Sequence, residues 1–170
     1  LGDTRWGLPD TAISRNQIRG MGGAGVAISD ETYAVGVDLV DNQIIDCSSR
    51  PALSAFTSLK GGMVISNAGL CRVQNNRVVR CGNNLSQART YGVSLDTVLG
   101  AQIEANQILS NGSLGAESTG GIYLKTVVDG ASIHDNRFDR NIGWEIAIDN
   151  DFDIKEVPLA LIALATLYGR

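Results

Sequence analysis

Apolar and polar positions along the chain fall into a six-residue unit that occurs five times: an apolar residue, two variable positions, Asn, then Gln or Arg, then a second apolar residue. Its anchors are Ile13, Asn16 and Ile18; Leu39, Asn42 and Ile44; Val73, Asn76 and Val78; Ile103, Asn106 and Ile108; and Ile133, Asn136 and Phe138. The asparagines are 42 − 16 = 26, 76 − 42 = 34, 106 − 76 = 30 and 136 − 106 = 30 residues apart, the range in which internal repeats mark a solenoid. A second element recurs between them, a glycine followed by apolar residues in alternation: Gly25, Val26, Ile28; Gly62, Met63, Ile65; Gly92, Val93, Leu95; Gly121, Ile122, Leu124. Its apolar end precedes the next unit by 73 − 65 = 8, 103 − 95 = 8 and 133 − 124 = 9 residues. Short alternating runs of this kind predict strands with one buried face. Each coil therefore carries at least two short strands separated by turns.

One such coil cannot bury its apolar face alone. Stacked coils cover one another and pair their backbones as parallel strands roughly 4.8 Å apart, so five make a rod about 25 Å long. Asn16, Asn42, Asn76, Asn106 and Asn136 sit where each coil turns, and Asn tolerates the left-handed conformation of a tight turn. Stacked in register, their amides are expected to bond along the rod as a ladder.

The repeated unit resembles the right-handed parallel β-helix family of pectate lyases, polygalacturonases, alginate epimerases and phage tailspikes, over roughly residues 13–148. The resemblance implies an all-β, single-stranded right-handed parallel β-helix of about five coils over 1–156. It leaves activity open, because enzymes and inert rods share this architecture. Two segments interrupt the repeat. Within the 34-residue interval, Pro51 suits a first helical turn and Leu53, Phe56 and Leu59 recur at three-residue spacing, so an inserted loop or short helix is expected near 49–60. It either covers apolar side chains of the rod or, as in β-helix enzymes, walls a groove. Residues 157–170 are almost continuously apolar after Val157 and Pro158, which predicts a second unit, a buried C-terminal helix. That helix is expected either to cap the open end of the rod or to dock on a further part of the chain or a second subunit.

Composition narrows the classes of partner. The formal charge is −4, from 14 basic and 18 acidic residues, which argues against the basic stripe of a nucleic-acid-binding surface. No stretch reaches the roughly 20 apolar residues of a membrane span. The chain starts at Leu1 without a signal-peptide pattern and enters the repeat almost at once, which is the expectation for a piece of something longer. Cys47 and Cys81 each lie three residues after the second apolar residue of their unit and should stack on adjacent coils. Together with Cys71 they read as buried thiols; a disulfide between coils would instead imply an oxidising compartment.

Candidate chemistry is sparse. The run from Arg19 to Gly25 holds four glycines, but a phosphate-cradling loop needs a helix after it, and Val26 to Ile28 alternates like a strand. The motifs of the β-helix hydrolases and epimerases are absent. The nearest approach to a catalytic set is His134, Asp135, Asp139 and Arg140, with His134 as a base near neutral pH. Asp149, Asp151 and Asp153 are candidate ligands for the Ca²⁺ that a β-helix lyase would use to acidify a sugar proton. Arg77 and Arg137, aligned with Gln17, Gln43 and Gln107, form a polar stripe suited to sugar hydroxyls or carboxylates, and Tyr91, Tyr123 and Trp144 are the best placed aromatics for stacking on sugar rings. Two functions are compatible with this inventory. One is a non-catalytic structural or adhesive module of a larger bacterial or phage-derived surface assembly, extracellular or particle-associated; the other is a lyase or hydrolase acting on an acidic (uronate) polysaccharide.

Overall fold

The computed structural model describes residues 7–28, 33–48, 59–83, 89–115 and 118–149. They form a parallel β-solenoid of about four turns. The five repeated units are the five rungs that bound those turns. Their short strands, Gln17–Arg19, Gln43–Ile45, Arg77–Val79, Gln107–Leu109 and Arg137–Asp139, pair in register as one five-stranded parallel sheet. The rest of each coil belongs to a second, larger sheet. Its long strands, Leu59–Gln74 and Arg89–Glu104, bend at Asn67 and Thr97 and so supply two faces each.

Among the described residues, single residues in the left-handed region mark the corners. At the first corner these are Arg15, Asp41, Asn75, Ala105 and Asp135, with φ between 54° and 58°. Gly20, Asp46, Arg80, Ser110 and Arg140 make the second corner, and Asn67, Thr97 and Thr126 the third. This corrects one expectation. The left-handed residue is the one before each ladder asparagine, and the asparagine itself turns its side chain inward. The cost of placing non-glycine residues at positive φ is met by backbone bonds between coils: Asp41 N–H donates to Gln74 O at 3.2 Å and Asn75 N–H to Glu104 O at 3.1 Å.

The amide ladder is present. Asn42 offers Oδ1 to the backbone N–H and Nδ2 of Asn16, both at 3.1 Å, and the same pair of hydrogen bonds recurs from Asn42 to Asn76, Asn76 to Asn106 and Asn106 to Asn136. Each inner Nδ2 also reaches a carbonyl one coil back, such as Asn76 to Leu39 O at 2.7 Å. A second ladder runs five residues further on: Asn111 donates through N–H and Nδ2 to Asn141 Oδ1, and accepts from Cys81 N–H at 3.0 Å. Cys47 and Cys81 stand in that column on adjacent coils, as their spacing predicts. With Cys71 they are buried free thiols. A hydrogen bond with Cys47, aided by burial, pushes the Cys81 thiol up, and burial raises Cys71 to about 12.

The core fills the space between the faces with Leu39, Ile44, Met63, Ile65, Leu95, Ile103, Ile108 and Ile122. The recurring glycines are explained by that packing. A Cβ on Gly62 would lie 2.4 Å from Val78 Cγ1 and 2.8 Å from Gly92 O, so the chain entering this face passes too close to the short strands for any side chain. At the edge of the expected insertion, Leu59 and Lys60 open a long strand. The remainder of that insertion and the predicted helix over 157–170 fall outside the described residues. Among the described residues no helix is long and apolar enough to cross a membrane.

Candidate functional site

Parallel in-register stacking turns every outward position into a column with one residue per rung. On the face that follows the glycines, Val64, Ser94, Tyr123 and Ala147 form one column and Ser66, Asp96, Lys125 and Asp149 another. Gly61, Tyr91, Gly120 and Trp144 form a third. Tyr91 stacks on Tyr123 with ring centroids 4.9 Å apart and planes inclined at 21°, which makes a small second core on the outside of the sheet together with Val64. Such offset aromatic pairs add to their area burial.

This aromatic layer carries a polar cluster. Arg89 places its guanidinium 5.7 Å from the Tyr123 ring centre, donates to the Tyr123 hydroxyl, and pairs with Asp149 Oδ2 at 2.8 Å. Tyr123 OH donates to the same carboxylate oxygen at 2.7 Å. Tyr91 OH bonds Ser118 Oγ, and Lys125 Nζ lies 3.4 Å from Asp96. Two donors on one oxygen, the Tyr123 hydroxyl first and Arg89 second, hold the Asp149 carboxyl below the usual carboxylate range. Burial, then the hydrogen bond to Asp149, pushes the Tyr123 phenol up, and burial does the same for Tyr91. Arg89, Ser118, Tyr123, Trp144, Ile148 and Asp149 line an open concavity of about 430 Å³. Trp144 is 68 % exposed there, whereas Tyr123 is 2 % exposed and presents its hydroxyl rather than its ring face.

The catalytic candidates are not brought together with this cluster. His134 stands just before the first corner, with Nε2 2.9 Å from Glu104 and Nδ1 3.1 Å from Asp135. Asp139 and Arg140 stand at the second corner, 3.8 Å from each other, and Asp149 stands just before the third. Two corners, at Asp135 and Arg140, lie between His134 and Asp149 along the coil. Asp149 is engaged by Arg89 and Tyr123, while Asp151 and Asp153 fall outside the described residues. No group of three or more His, Cys, Asp or Glu side chains gathers in metal-binding geometry among the described residues. Arg77 and Arg137 do form the expected stripe, in register with Gln17, Gln43 and Gln107, but it runs along the short sheet, a different face from Tyr123 and Trp144.

Arg89 and Ser118 belong to no repeated unit, so the sequence carries no signal for them. Asn111 and Asn141 carried a usable signal. They lie five residues after ladder asparagines (106 + 5, 136 + 5), the same offset as Cys47 and Cys81 (42 + 5, 76 + 5). Comparison of the chain with protein-family models, curated proteins and solved structures returned no match.

Proposed function

We propose that the chain is a rigid, non-catalytic β-helix module with a structural or adhesive role, part of a larger extracellular or particle-associated assembly. The observation that carries this reading is how the outward charges are used. Arg72 grips Asp38 with two bonds at 3.0 and 2.8 Å, Arg80 grips Asp46 with two at 2.7 and 2.8 Å, and His134, Lys125 and Arg89 each pair with a carboxylate one or two rungs away. Bidentate pairs between rungs tie the coils together and leave those side chains committed to the rod. Exposed pairs contribute little singly. Their repetition along the rod, with two amide ladders inside it, suits stiffness.

A second reading, binding or cleavage of an acidic polysaccharide, draws on the concavity, where exposed Trp144 offers a stacking surface beside Arg89. In that reading Arg89 replaces Arg77 and Arg137 as the cation beside the aromatic residue. Incubating the purified chain with a panel of uronate polysaccharides, with and without Ca²⁺, and following new unsaturated or reducing ends separates the two. Absence of turnover is expected, and turnover above the buffer control overturns the structural reading.

A further inference from the structure

The two end faces of the described rod match each other. The first rung presents the edges of Thr11–Ser14, Gln17–Arg19 and Val26–Ile28, and the last presents those of Ala131–His134, Arg137–Asp139 and Trp144–Asp149. Because all rungs share one register, placing a first rung on a last rung fixes every facing pair. Ile13 meets Ile133 and Ile18 meets Phe138, each pair continuing an inward column. Val26 meets Ile146, Ala27 meets Ala147 and Ile28 meets Ile148. The amide ladder continues too. Asn136 would receive in Asn16 the Oδ1 acceptor that every earlier ladder asparagine receives from the rung after it.

Charge completes the match. Arg15 and Asp135 are the first and last residues of the first-corner column, and Arg19 and Asp139 those of the matching column in the short sheet. Stacked end on end, both arginines face aspartates. Within one chain neither arginine forms an ion pair among the described residues, although Arg19 lies near enough to Asp46 to help lower its carboxyl and Asp135 and Asp139 contact His134 and Arg140 on their own rung, whereas Arg72 and Arg80 each grip an aspartate on the adjacent rung. The second ladder does not extend across the junction, since Asn141 would face Met21, so the first ladder and the two ion pairs set its register.

We infer that the last rung of one molecule receives the first rung of a second copy, head to tail and in register, so that the chain associates into longer rods. Among the described residues no further strand pairs with these parallel edges, and such edges are templates for one; a heterologous contact whose rotation does not close produces open filaments. The inference concerns the ends of the rod and is independent of what its outer faces bind.

The test uses the full 170-residue chain in sedimentation across a concentration series. Wild type is expected to gain mass with concentration. The double reversal Arg15→Glu with Arg19→Glu makes both ends acidic, and Asp135→Arg with Asp139→Arg makes both ends basic. Each is expected to weaken self-association by roughly tenfold or more, since two attractive pairs become repulsive. An equimolar mixture of the two variants is expected to recover association, because each reversed end then meets an opposite charge; recovery also shows that both variants fold. A chain that stays monomeric at all concentrations, or association indifferent to both reversals, overturns the inference. So does association that appears only after residues 150–170 are deleted, which would assign the end face to the chain's own tail.

Discussion

The backbone N–H and the Nδ2 of Asn76 both donate to one oxygen, Oδ1 of Asn106, at 2.8 and 3.1 Å. Asn106 returns its own Nδ2 to Val73 O at 2.8 Å. One buried side chain thus satisfies three groups on the preceding rung, in a place where water cannot. The corner residue before it takes the strained conformation, which leaves the asparagine free to point inward.

Asn106→Leu removes that oxygen and that amide together. It strands Asn76 N–H and Val73 O in the core, and the expected loss is about 1–3 kcal/mol, the usual cost of buried groups left unpaired. Asn16→Leu should cost clearly less, because Asn16 is exposed and lies on the first rung. Denaturant melts of the two variants check the ordering. Equal losses would mean that the ladder contributes nothing beyond its solvent-exposed end.

The second ladder permits a test in the opposite direction. Cys81 occupies the place of Asn111 one rung earlier, with Sγ 3.8 Å from Ile44 O and 3.2 Å from where a Cβ on Gly62 would lie. Asn111 fits beside Gly92 with a comparable clearance of 2.9 Å. Cys81→Asn should therefore extend the ladder and leave stability within about 1 kcal/mol of wild type or above it. Cys81→Leu adds volume without hydrogen bonds and should cost about 1–3 kcal/mol. A thermal melt in which the asparagine variant is the worse of the two would sink the equivalence of these positions.

What the sequence discloses follows from periodicity. The five units state the stacking, the register and the first ladder, because a parallel solenoid repeats its chemistry at every rung. Two details escape for the same physical reason. A left-handed corner formed by Arg15, Asp41, Asn75, Ala105 and Asp135 has no shared side chain to recognise, since backbone bonds to the next coil hold it. The Arg89, Tyr123 and Asp149 cluster joins non-repeating residues separated by 34 and 26 positions, and only the coil geometry brings them together. His134 and Asp149 are near in sequence, but corners at Asp135 and Arg140 redirect the chain between them.

Gly120 tests how closely the coils approach. A Cβ there would fall 1.8 Å from Trp144 O, and backbone cannot yield as a side-chain end can. Gly120→Ala should push the last rung outward and cost about 3 kcal/mol or more, the upper range for overpacking. Gly23 has nothing within 4 Å of its virtual Cβ, so Gly23→Ala should change stability by no more than about 0.5 kcal/mol. Indistinguishable melting temperatures for the two would contradict the close approach at Trp144.

Asp149 makes stability depend on pH in a direction that can be worked out. Its carboxyl is held below the ordinary value near 3.9 by the Tyr123 hydroxyl and by Arg89. A carboxylate whose pKa is lower in the folded than in the unfolded chain binds fewer protons when folded. Its contribution is therefore complete above the unfolded pKa and is lost as pH falls through the folded one. Asp149→Asn removes the charge while keeping the shape. The gap in melting temperature between wild type and this variant should be widest near pH 6 to 7 and should close below about pH 4. Asp46, lowered by its bond to Arg80, titrates in both proteins and cancels in the difference. A gap that stays constant from pH 7 to pH 3 would mean that the carboxylate of Asp149 does not hold the Arg89 and Tyr123 cluster together through its charge.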